Sequence, residues 1–266
     1  MRKLTTALLP VALLATSFAT HAATSDGKTI GVSAGWLHIM PQGEKQGVSG
    51  KSSNPLLGND YSTGAGFEID DADTGGLLLD YYVNDNVSLE LVTGYPPKMK
   101  IDGVGSILAG KALVNSGKGI DLAGLGEVGE VDAYTPVILG KYQFGTVNSK
   151  FRPFVGAGIM YAHFSSFELG SDVNTRLNSA VLGGILGLEV SKVDIDDAVA
   201  PVATIGADYN FNKDWFATAS VTYAHLKTKA SLDIISKTTQ GAKILNGQSD
   251  IEINPIVTYV GIGYRF

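Results

Sequence analysis

Six charged residues lie within largely uncharged, alternating segments of the sequence, each close to a short polar turn. Three are acids and three are bases, so they could neutralise one another wherever the fold brings them together. The chemistry that this set predicts is therefore ion pairing in an enclosed place. The six residues are Asp80, Glu90, Lys141, Arg152, Asp208 and Arg265.

Catalytic and metal-binding groups are sparse by comparison. His38, His163 and His225 lie near the ends of alternating segments, and we interpret them as interfacial polar groups rather than as metal ligands. No Gly-x-Ser-x-Gly motif occurs, and no serine and histidine share an inward face of the predicted strands. The sequence therefore predicts a protein that is not an enzyme and that uses no cofactor or metal.

Two acidic clusters, Asp70–Asp73 and Asp194–Asp197, could offer oxygen ligands to calcium, but neither has the loop pattern of an EF-hand. We interpret both as solvated acidic loops. Acidic residues outnumber basic ones over the whole chain, with a formal net charge of −6. This charge balance makes nucleic acid a poor candidate for a partner.

The first residues have the features of a secretory signal peptide. Arg2 and Lys3 form a short basic region, residues 8–18 are mostly apolar, and residues 19–23 offer small side chains for cleavage. The apolar run is too short for a spanning helix. We predict a signal peptide at residues 1–22 and a mature chain of residues 23–266. The chain has no cysteine, so its stability must come from packing and hydrogen bonds.

Eight segments of the mature chain alternate with a period of two, which is the pattern of β-strands with two different faces. They are residues 29–39, 74–83, 87–95, 134–144, 151–164, 199–209, 215–226 and 251–266. Each is long enough to cross a bilayer as a tilted strand, and no apolar run after the signal could form a membrane helix. Charged residues make up only 17% of the chain, a low share for a soluble domain. These features favour a membrane β-barrel.

The connections between the predicted strands alternate between short and long. The short ones are residues 84–86, 145–150 and 210–214, and the long ones are residues 40–73, 96–133, 165–198 and 227–250. The predicted fold is therefore all-β, an eight-stranded antiparallel up-and-down transmembrane β-barrel with long extracellular loops. Both termini would then lie on the periplasmic side, with the short turns.

One face of every predicted strand carries no charged residue, and we assign this face to lipid. An arginine or lysine there would cost about 2–4 kcal/mol at the bilayer midplane. In the last strand Val260, Ile262, Tyr264 and Phe266 share this face. Aromatic residues near the short turns would form a belt at the membrane interface.

Three stretches resemble the outer membrane protein W (OmpW) family: SKFRPFVGAGIMY (residues 149–161), GADYNFNKDW (206–215) and NPIVTYVGIGYRF (254–266). The resemblance implies an eight-stranded barrel in the outer membrane of a Gram-negative bacterium, surrounded by lipid, that passes small hydrophobic molecules. It also implies that the barrel assembly machinery reads the C-terminal strand, which ends in Tyr264 and Phe266. The connections Pro96–Ala133 and Ser165–Ala198 look longer than is usual in the family, and their role stays open.

The inward faces of the predicted strands divide by height. The six charges lie near the short turns, and an eight-stranded barrel is just wide enough for side chains to fill, so we predict a salt-bridged plug that closes the periplasmic end. The alternative is that the charges only neutralise one another inside the barrel. Above them we predict an apolar substrate path lined by Leu37, Leu78, Val92, Val137, Leu139, Met160, Phe164, Val202, Leu226, Val257 and Tyr259.

Three prolines mark a weak place in the predicted wall. Pro96 and Pro97 follow the third strand and Pro136 opens the fourth, at the same upper end of an antiparallel pair. Proline has no N–H to give to a strand ladder. We predict a lateral opening here, lined by Val92, Val137 and Leu139, that releases substrate into the outer leaflet. The alternative is that the prolines only end the two strands at a long loop.

The stretches Ile107–Val114 and Ala180–Val190 are unusually apolar for extracellular loops. They could form a hydrophobic funnel over the barrel mouth or pack on each other as a cap, and a third interpretation makes the loops an adhesive or receptor surface. For the whole protein we predict a channel for uptake of small hydrophobic molecules. A narrow pore for small polar or ionic solutes is the alternative.

Overall fold

The structure, a computed structural model, describes residues 23–43, 47–52, 58–111, 114–181, 184, 187–239 and 242–266. The predicted signal peptide, residues 1–22, lies outside the described residues and stays a prediction. The strands, in chain order, are β1 (Ile30–Met40), β2 (Val48–Ser52), β3 (Asp60–Ser62), β4 (Gly66–Ile69), β5 (Ala72–Tyr82), β6 (Val87–Gly94), β7 (Lys98–Val104), β8 (Ser106–Ile107), β9 (Ile120–Asp121), β10 (Glu127–Tyr134), β11 (Val137–Gln143), β12 (Phe151–Leu169), β13 (Leu188–Ile195), β14 (Ala198–Asn210), β15 (Trp215–Ala224), β16 (Lys227–Ser236), β17 (Ala242–Glu252) and β18 (Ile256–Arg265). A helix, α1, covers Val173–Ala180, and 3₁₀ turns cover Asn115–Gly117, Ala123–Leu125 and Lys237–Thr239. None of the helices in these ranges is long and apolar enough to cross a membrane.

Eight of these strands form a closed antiparallel ring, which confirms the predicted barrel. The order around the ring is β1, β5, β6, β11, β12, β14, β15 and β18, and β18 pairs back onto β1. Closure gives every strand of the ring two neighbours, which is the condition for a sheet to stand in lipid without an exposed edge.

Some predicted strand ends differ from the structure. β12 continues past the predicted end at Phe164 to Leu169, because β10 pairs with its upper part. β18 begins at Ile256 and not at Ile251, because Ile251 belongs to β17. β11 begins after Pro136, whereas the prediction began at Tyr134. Each difference lies at the extracellular end, where the chain leaves the ring for other strands.

The two faces of the ring strands differ in exposure, in the predicted alternation. Outward side chains are large and apolar, such as Trp36, Leu89, Ile205 and Ile262, and each is about half exposed or more. The side chains between them along each strand point into the ring and are mostly buried. The outward face therefore forms an apolar belt suited to lipid.

The long connections carry ten further strands within the described residues. β10 pairs with the upper part of β12, β7 pairs with β10 and β4 pairs with β7, so these strands continue the ring sheet outward. A separate five-stranded sheet has the order β13, β16, β17, β2, β3. The sequence pattern does not predict these strands, because their outer faces are charged: Lys100, for example, lies 2.8 Å from Glu127 across the ladder. A charged face is stable in contact with water, whereas charged side chains facing lipid would destabilise the sheet.

The apolar loop stretches pack on each other as a cap. Val114 forms a bridge with Val181, and Leu108 and Leu188 are buried in the same cluster. The helix α1 buries Leu177 in it as well. A small apolar cavity of about 120 Å³ remains between the extracellular strands. Of the predicted alternatives for these stretches, the described residues therefore adopt the packed one.

The seam between the first and last strands of the ring is tight. Gly35 of β1 lies opposite Gly261 of β18. A Cβ atom at Gly35 would lie 2.1 Å from the carbonyl oxygen of Val260 and 2.5 Å from the Cα of Gly261. The two backbones can therefore approach this closely only because the residue has no side chain.

We expect Gly35→Val to destabilise the barrel by about 3 kcal/mol or more, as for severe overpacking, because valine must push two paired backbones apart. Denaturant unfolding in detergent micelles would measure the loss. Gly75→Val in the neighbouring strand is the matched control, since no described residue other than its chain neighbours lies within 4 Å of a Cβ there. Equal stability of the two variants would contradict the prediction.

Candidate functional site

The first group of inward charges is centred on Lys141 of β11. Its Nζ lies 3.0 Å from Asp80 Oδ1 on β5 and 2.6 Å from Glu90 Oε2 on β6. The hydroxyl of Ser88 also donates to Asp80, at 3.1 Å. The Nζ of Lys141 also lies over the ring of Phe154, 4.4 Å from the ring centre, as a cation–π contact. One buried cation thus holds two buried acids from neighbouring strands.

The second group is centred on Arg265 of β18. Its guanidinium donates to Asp208 at 3.0 Å, to the side-chain oxygen of Asn210 at 2.6 Å and to the hydroxyl of Tyr82 at 2.9 Å. Phe216 covers one face of the guanidinium, with 4.0 Å between its ring centre and Cζ. Such hydrogen bonds and stacking use the planar shape of arginine, which lysine lacks.

Arg152 of β12 is placed differently from the other two bases. It forms no ion pair with a carboxylate of the described residues, and its Nη2 donates to the backbone carbonyl of Asp85. Among the described residues, its Nε and the Oδ1 of Asp208 are buried without a partner, while Gln143 donates to Asp208 Oδ2 at 2.6 Å. The three predicted acids and three predicted bases meet in one layer, but they do not form three separate pairs.

This layer lies in the barrel interior at the end with the short turns, and its residues are buried. Arg152, Asp208, Tyr82, Gln143 and Phe216 each expose 2% or less of their surface. The predicted set of charges does not include three other members of this layer, Tyr82, Gln143 and Asn210. Each lies two residues from a predicted charge, on the same inward face, so the period-two pattern contained the signal. We call Tyr82, Gln143 and Asn210, together with the six predicted charges, the charged floor.

A cavity of about 650 Å³ lies above the charged floor, with Glu90 at its lower limit. Its lining is mostly apolar and includes ten of the eleven residues predicted for the substrate path. The exception is Val202, which is buried in a cluster with Leu226 and does not reach the cavity. The ten are Leu37, Leu78, Val92, Val137, Leu139, Met160, Phe164, Leu226, Val257 and Tyr259.

The wall between β6 and β11 has a gap at the height of this cavity. The ladder between the two strands ends at the pair Val92 and Val137. The next backbone hydrogen bond across this wall runs from the N–H of Ala133 to the carbonyl of Pro97, at 3.2 Å. We call the wall between these two points, residues 93–96 facing residues 134–136, the wall gap. Its lower and upper limits are therefore both hydrogen-bonded.

The residues on each side of the wall gap are hydrogen-bonded to the neighbouring strand that lies away from the gap. The N–H of Tyr95 donates to the carbonyl of Gly75 on β5, at 3.0 Å, and the N–H of Tyr161 on β12 donates to the carbonyl of Pro136, also at 3.0 Å. The predicted prolines Pro96, Pro97 and Pro136 all line the 650 Å³ cavity. The cavity thus runs from the barrel interior to the wall gap.

Polar groups lie at the outer rim of the wall gap. Asp197 accepts hydrogen bonds from the hydroxyl of Tyr161, at 2.6 Å, and pairs with Nδ1 of His163, at 2.7 Å. Both contacts lower the pKa of the Asp197 carboxyl from its ordinary value, and the hydrogen bond from Tyr161 is the larger cause. On another strand, His38 makes the same contact with Asp73, at 2.8 Å. No cluster of three or more side chains that could hold a metal ion occurs among the described residues.

The C-terminal aromatic residues lie on the outward face at the periplasmic end. The rings of Tyr264 and Phe266 have their centres 4.9 Å apart, edge to face, and Tyr264 contacts Trp215 in the same way at 5.1 Å. Phe266 is 63% exposed. These rings occupy the height at which aromatic residues favour a membrane interface.

The sequence matches the model of the OmpW family over residues 25–266. Outer membrane protein W of Vibrio cholerae is 35% identical over 193 residues, which are 72% of this chain and 72% of that protein. The dibenzothiophene metabolism operon protein PahQ of Pseudomonas aeruginosa is 26% identical over 203 residues, or 76% of each chain.

A solved structure shares the same fold. The crystal structure of the outer membrane protein OprG from Pseudomonas aeruginosa superposes with a TM-score of 0.68 at 22% identity, over 92% of this chain and 97% of that one. The closed ring, its apolar outer face and the family match agree with one another. The chain belongs to the OmpW family and is a β-barrel of the outer membrane of a Gram-negative bacterium.

Proposed function

We propose that this protein is an outer-membrane channel for the uptake of small hydrophobic molecules, which enter the apolar cavity and leave sideways through the wall gap into the membrane. The observation that carries the proposal is the continuity of one apolar cavity from the barrel interior to the gap between β6 and β11. The proposal assigns no chemical step to the protein.

The chemistry of the cavity supports a hydrophobic substrate. Its lining between the floor and the wall gap is mostly aliphatic, from Leu37, Leu78, Val137, Leu139 and Met160. Apolar solutes gain free energy by leaving water for such a surface. The name of the relative PahQ refers to the metabolism of dibenzothiophene, which is an apolar aromatic compound.

The charged floor supports a lateral exit. An apolar solute that moved toward the periplasm would have to separate buried ion pairs such as Lys141 with Glu90, and it offers no polar group in exchange. Leaving one partner of a buried pair uncompensated costs about 3–5 kcal/mol. The bilayer beside the barrel is an apolar solvent, so the sideways route carries no comparable cost.

The prolines make the wall gap a favourable place for such an exit. Elsewhere in the ring, separating two strands in lipid would leave backbone N–H and C=O groups without partners. At the wall gap no ladder has to be broken, and Pro96 and Pro136 have no N–H to leave unpaired. Passage there requires mainly side-chain movement, for example of Tyr95 and Tyr134, which are both exposed.

The alternative functions have less support from the described residues. A pore for polar or ionic solutes would need a wet path through the floor, where the largest side chains are fully buried. It would give saturable ion passage with no gain for hydrophobic compounds. An adhesin or receptor would act through the extracellular strands, and its cell binding would be independent of the wall gap.

The proposal includes one partner during biogenesis. We propose that the barrel assembly machinery recognises the C-terminal strand, with Tyr264 and Phe266 as its outward aromatic residues. The exposure of Phe266 at the end of the seam strand supports this assignment, since β18 closes the ring. Surrounding lipid contacts the outward face of the finished barrel.

We expect a disulfide across the wall gap to abolish protein-dependent uptake of dibenzothiophene. Thr93 and Pro136 continue the register of the last ladder pair, Val92 with Val137, so Thr93→Cys with Pro136→Cys places two thiols on opposite sides of the gap. The chain has no other cysteine. Uptake by cells would be measured with the variant oxidised and then reduced, and reduction should restore it.

The matched control is Ala207→Cys with Ala219→Cys, a directly opposed lipid-facing pair in the ladder between β14 and β15. Oxidation of this pair should leave uptake unchanged. Full uptake by the oxidised Thr93→Cys, Pro136→Cys variant, with the cross-link verified by mass spectrometry, would rule out the lateral route.

We expect loss of the floor arginines to raise single-channel ion conductance in planar bilayers. Arg152→Ala with Arg265→Ala removes two large buried side chains and leaves Asp208 without its cation, which admits water. Because the unpaired acid also destabilises the barrel, a second variant, Arg265→Ala with Asp208→Ala, removes both partners together. Its conductance should also rise.

The control for the floor is Lys150→Ala, an exposed cation in a periplasmic turn. Its conductance should equal that of the wild type. Unchanged conductance in folded barrels of both floor variants would show that closure of the periplasmic end does not depend on these residues.

A further inference from the structure

The wall of the main cavity differs from one side of the ring to the other. Beside the wall gap it is made of Val92, Val137 and Leu139, whereas β15 contributes the hydroxyl groups of Ser220 and Thr222 to the same cavity. Around the ring, β15 is four strands from β6 in one direction and three strands from β11 in the other. The hydroxyl groups therefore lie nearly opposite the gap.

These hydroxyl groups have hydrogen-bonding capacity to spare. Thr222 donates to the hydroxyl of Thr204, at 2.9 Å, and Thr204 donates to the carbonyl of Val221, at 3.3 Å. The oxygen of Thr222 therefore still has lone pairs that can accept. The hydroxyl of Ser220 makes no hydrogen bond within the described part of the chain, and the residue is half-buried against the cavity. It can both donate and accept.

We infer that the cavity prefers amphiphilic substrates with one hydroxyl or carbonyl group at one end, and that it holds that end on Ser220 and Thr222 with the apolar end toward the wall gap. This inference rests on the proposed function and names the substrate class of the same site. The substrate then leaves with its apolar end first.

The cost of desolvation favours this orientation. A hydroxyl group that enters an apolar cavity loses its hydrogen bonds to water and is disfavoured unless the wall replaces them. Below the rim, the wall beside the gap is formed by Val92, Val137 and Leu139, and the carboxylate at its foot, Glu90, is already paired with Lys141. The polar end is therefore directed to the hydroxyl groups on the other side. The apolar end then faces Val92 and Val137, which is the surface that continues into lipid.

The rim of the wall gap completes the path for the polar end. Tyr161, His163 and Asp197 line the same cavity at its extracellular side. As the apolar end enters the acyl chains, these groups offer hydrogen bonds before the polar end reaches the membrane interface. The polar group thus has a partner at both ends of the path.

Three probes of equal length separate orientation from simple polarity: octane, 1-octanol and 1,8-octanediol. Protein-dependent uptake by cells, quantified by mass spectrometry, gives a half-saturating concentration for each. We expect that of 1-octanol to be about two- to tenfold lower than that of octane, which is the worth of one hydrogen bond. The diol should be the poorest substrate, because its second hydroxyl would face the apolar wall beside the gap.

The variant Ser220→Ala with Thr222→Val should raise the half-saturating concentration of 1-octanol to that of octane or above it, because the hydroxyl then loses its partners, and should leave octane unchanged. Thr258→Val is the matched control, because it removes a hydroxyl from the outward face of β18, opposite Val221. Ser220→Ala alone is the milder variant if the double variant does not fold.

Two results would overturn the inference. An unchanged preference for 1-octanol in the folded double variant, or uptake of the diol equal to that of 1-octanol, removes the oriented site and leaves the proposed function intact. Failure of the wild type to take up octane and 1-octanol at all removes both.

Discussion

Hydrogen bonding of the backbone in lipid is the constraint on which the rest of this structure depends. A strand in the bilayer cannot leave N–H and C=O groups unpaired, so β18 must return to β1, and Gly35 and Gly261 let the two backbones meet. The same constraint explains why prolines occur at the wall gap. It is the place where proline replaces residues with an N–H, so a discontinuity in the wall leaves fewer unpaired donors toward lipid.

The charged floor and the cavity above it follow from the width of an eight-stranded ring. Side chains from opposite walls meet across such a ring, so inward charges must find partners there. Lys141 and Arg265 do so with acids from strands one or two places away in the ring, and aromatic rings fill the remaining space. Where the inward residues are aliphatic or small, the same ring leaves a cavity, and this cavity lies at the height of the wall gap.

Outside the membrane, water can pair with free backbone groups and solvate charged side chains, so the strands there need neither a closed ring nor an uncharged face. β12 extends beyond the ring and carries β10, β7 and β4 with it, because their outer faces can hold charged residues in water. The apolar stretches that no lipid covers are buried against one another and against α1. The extracellular part is therefore a packed structure of its own, continuous with the barrel.

The sequence by itself determined the eight ring strands, the face that each turns to lipid, the inward position of the six charges and the place of the prolines. All of these follow from alternation along a single strand or from the backbone chemistry of one residue. The tertiary structure alone decided that Lys141 holds two acids, that Arg152 binds a backbone carbonyl and that Val202 packs away from the cavity. It also decided which hydroxyl groups face the gap across the ring. Those features depend on register and on closure between residues far apart in the chain, and a period of two carries no information about either.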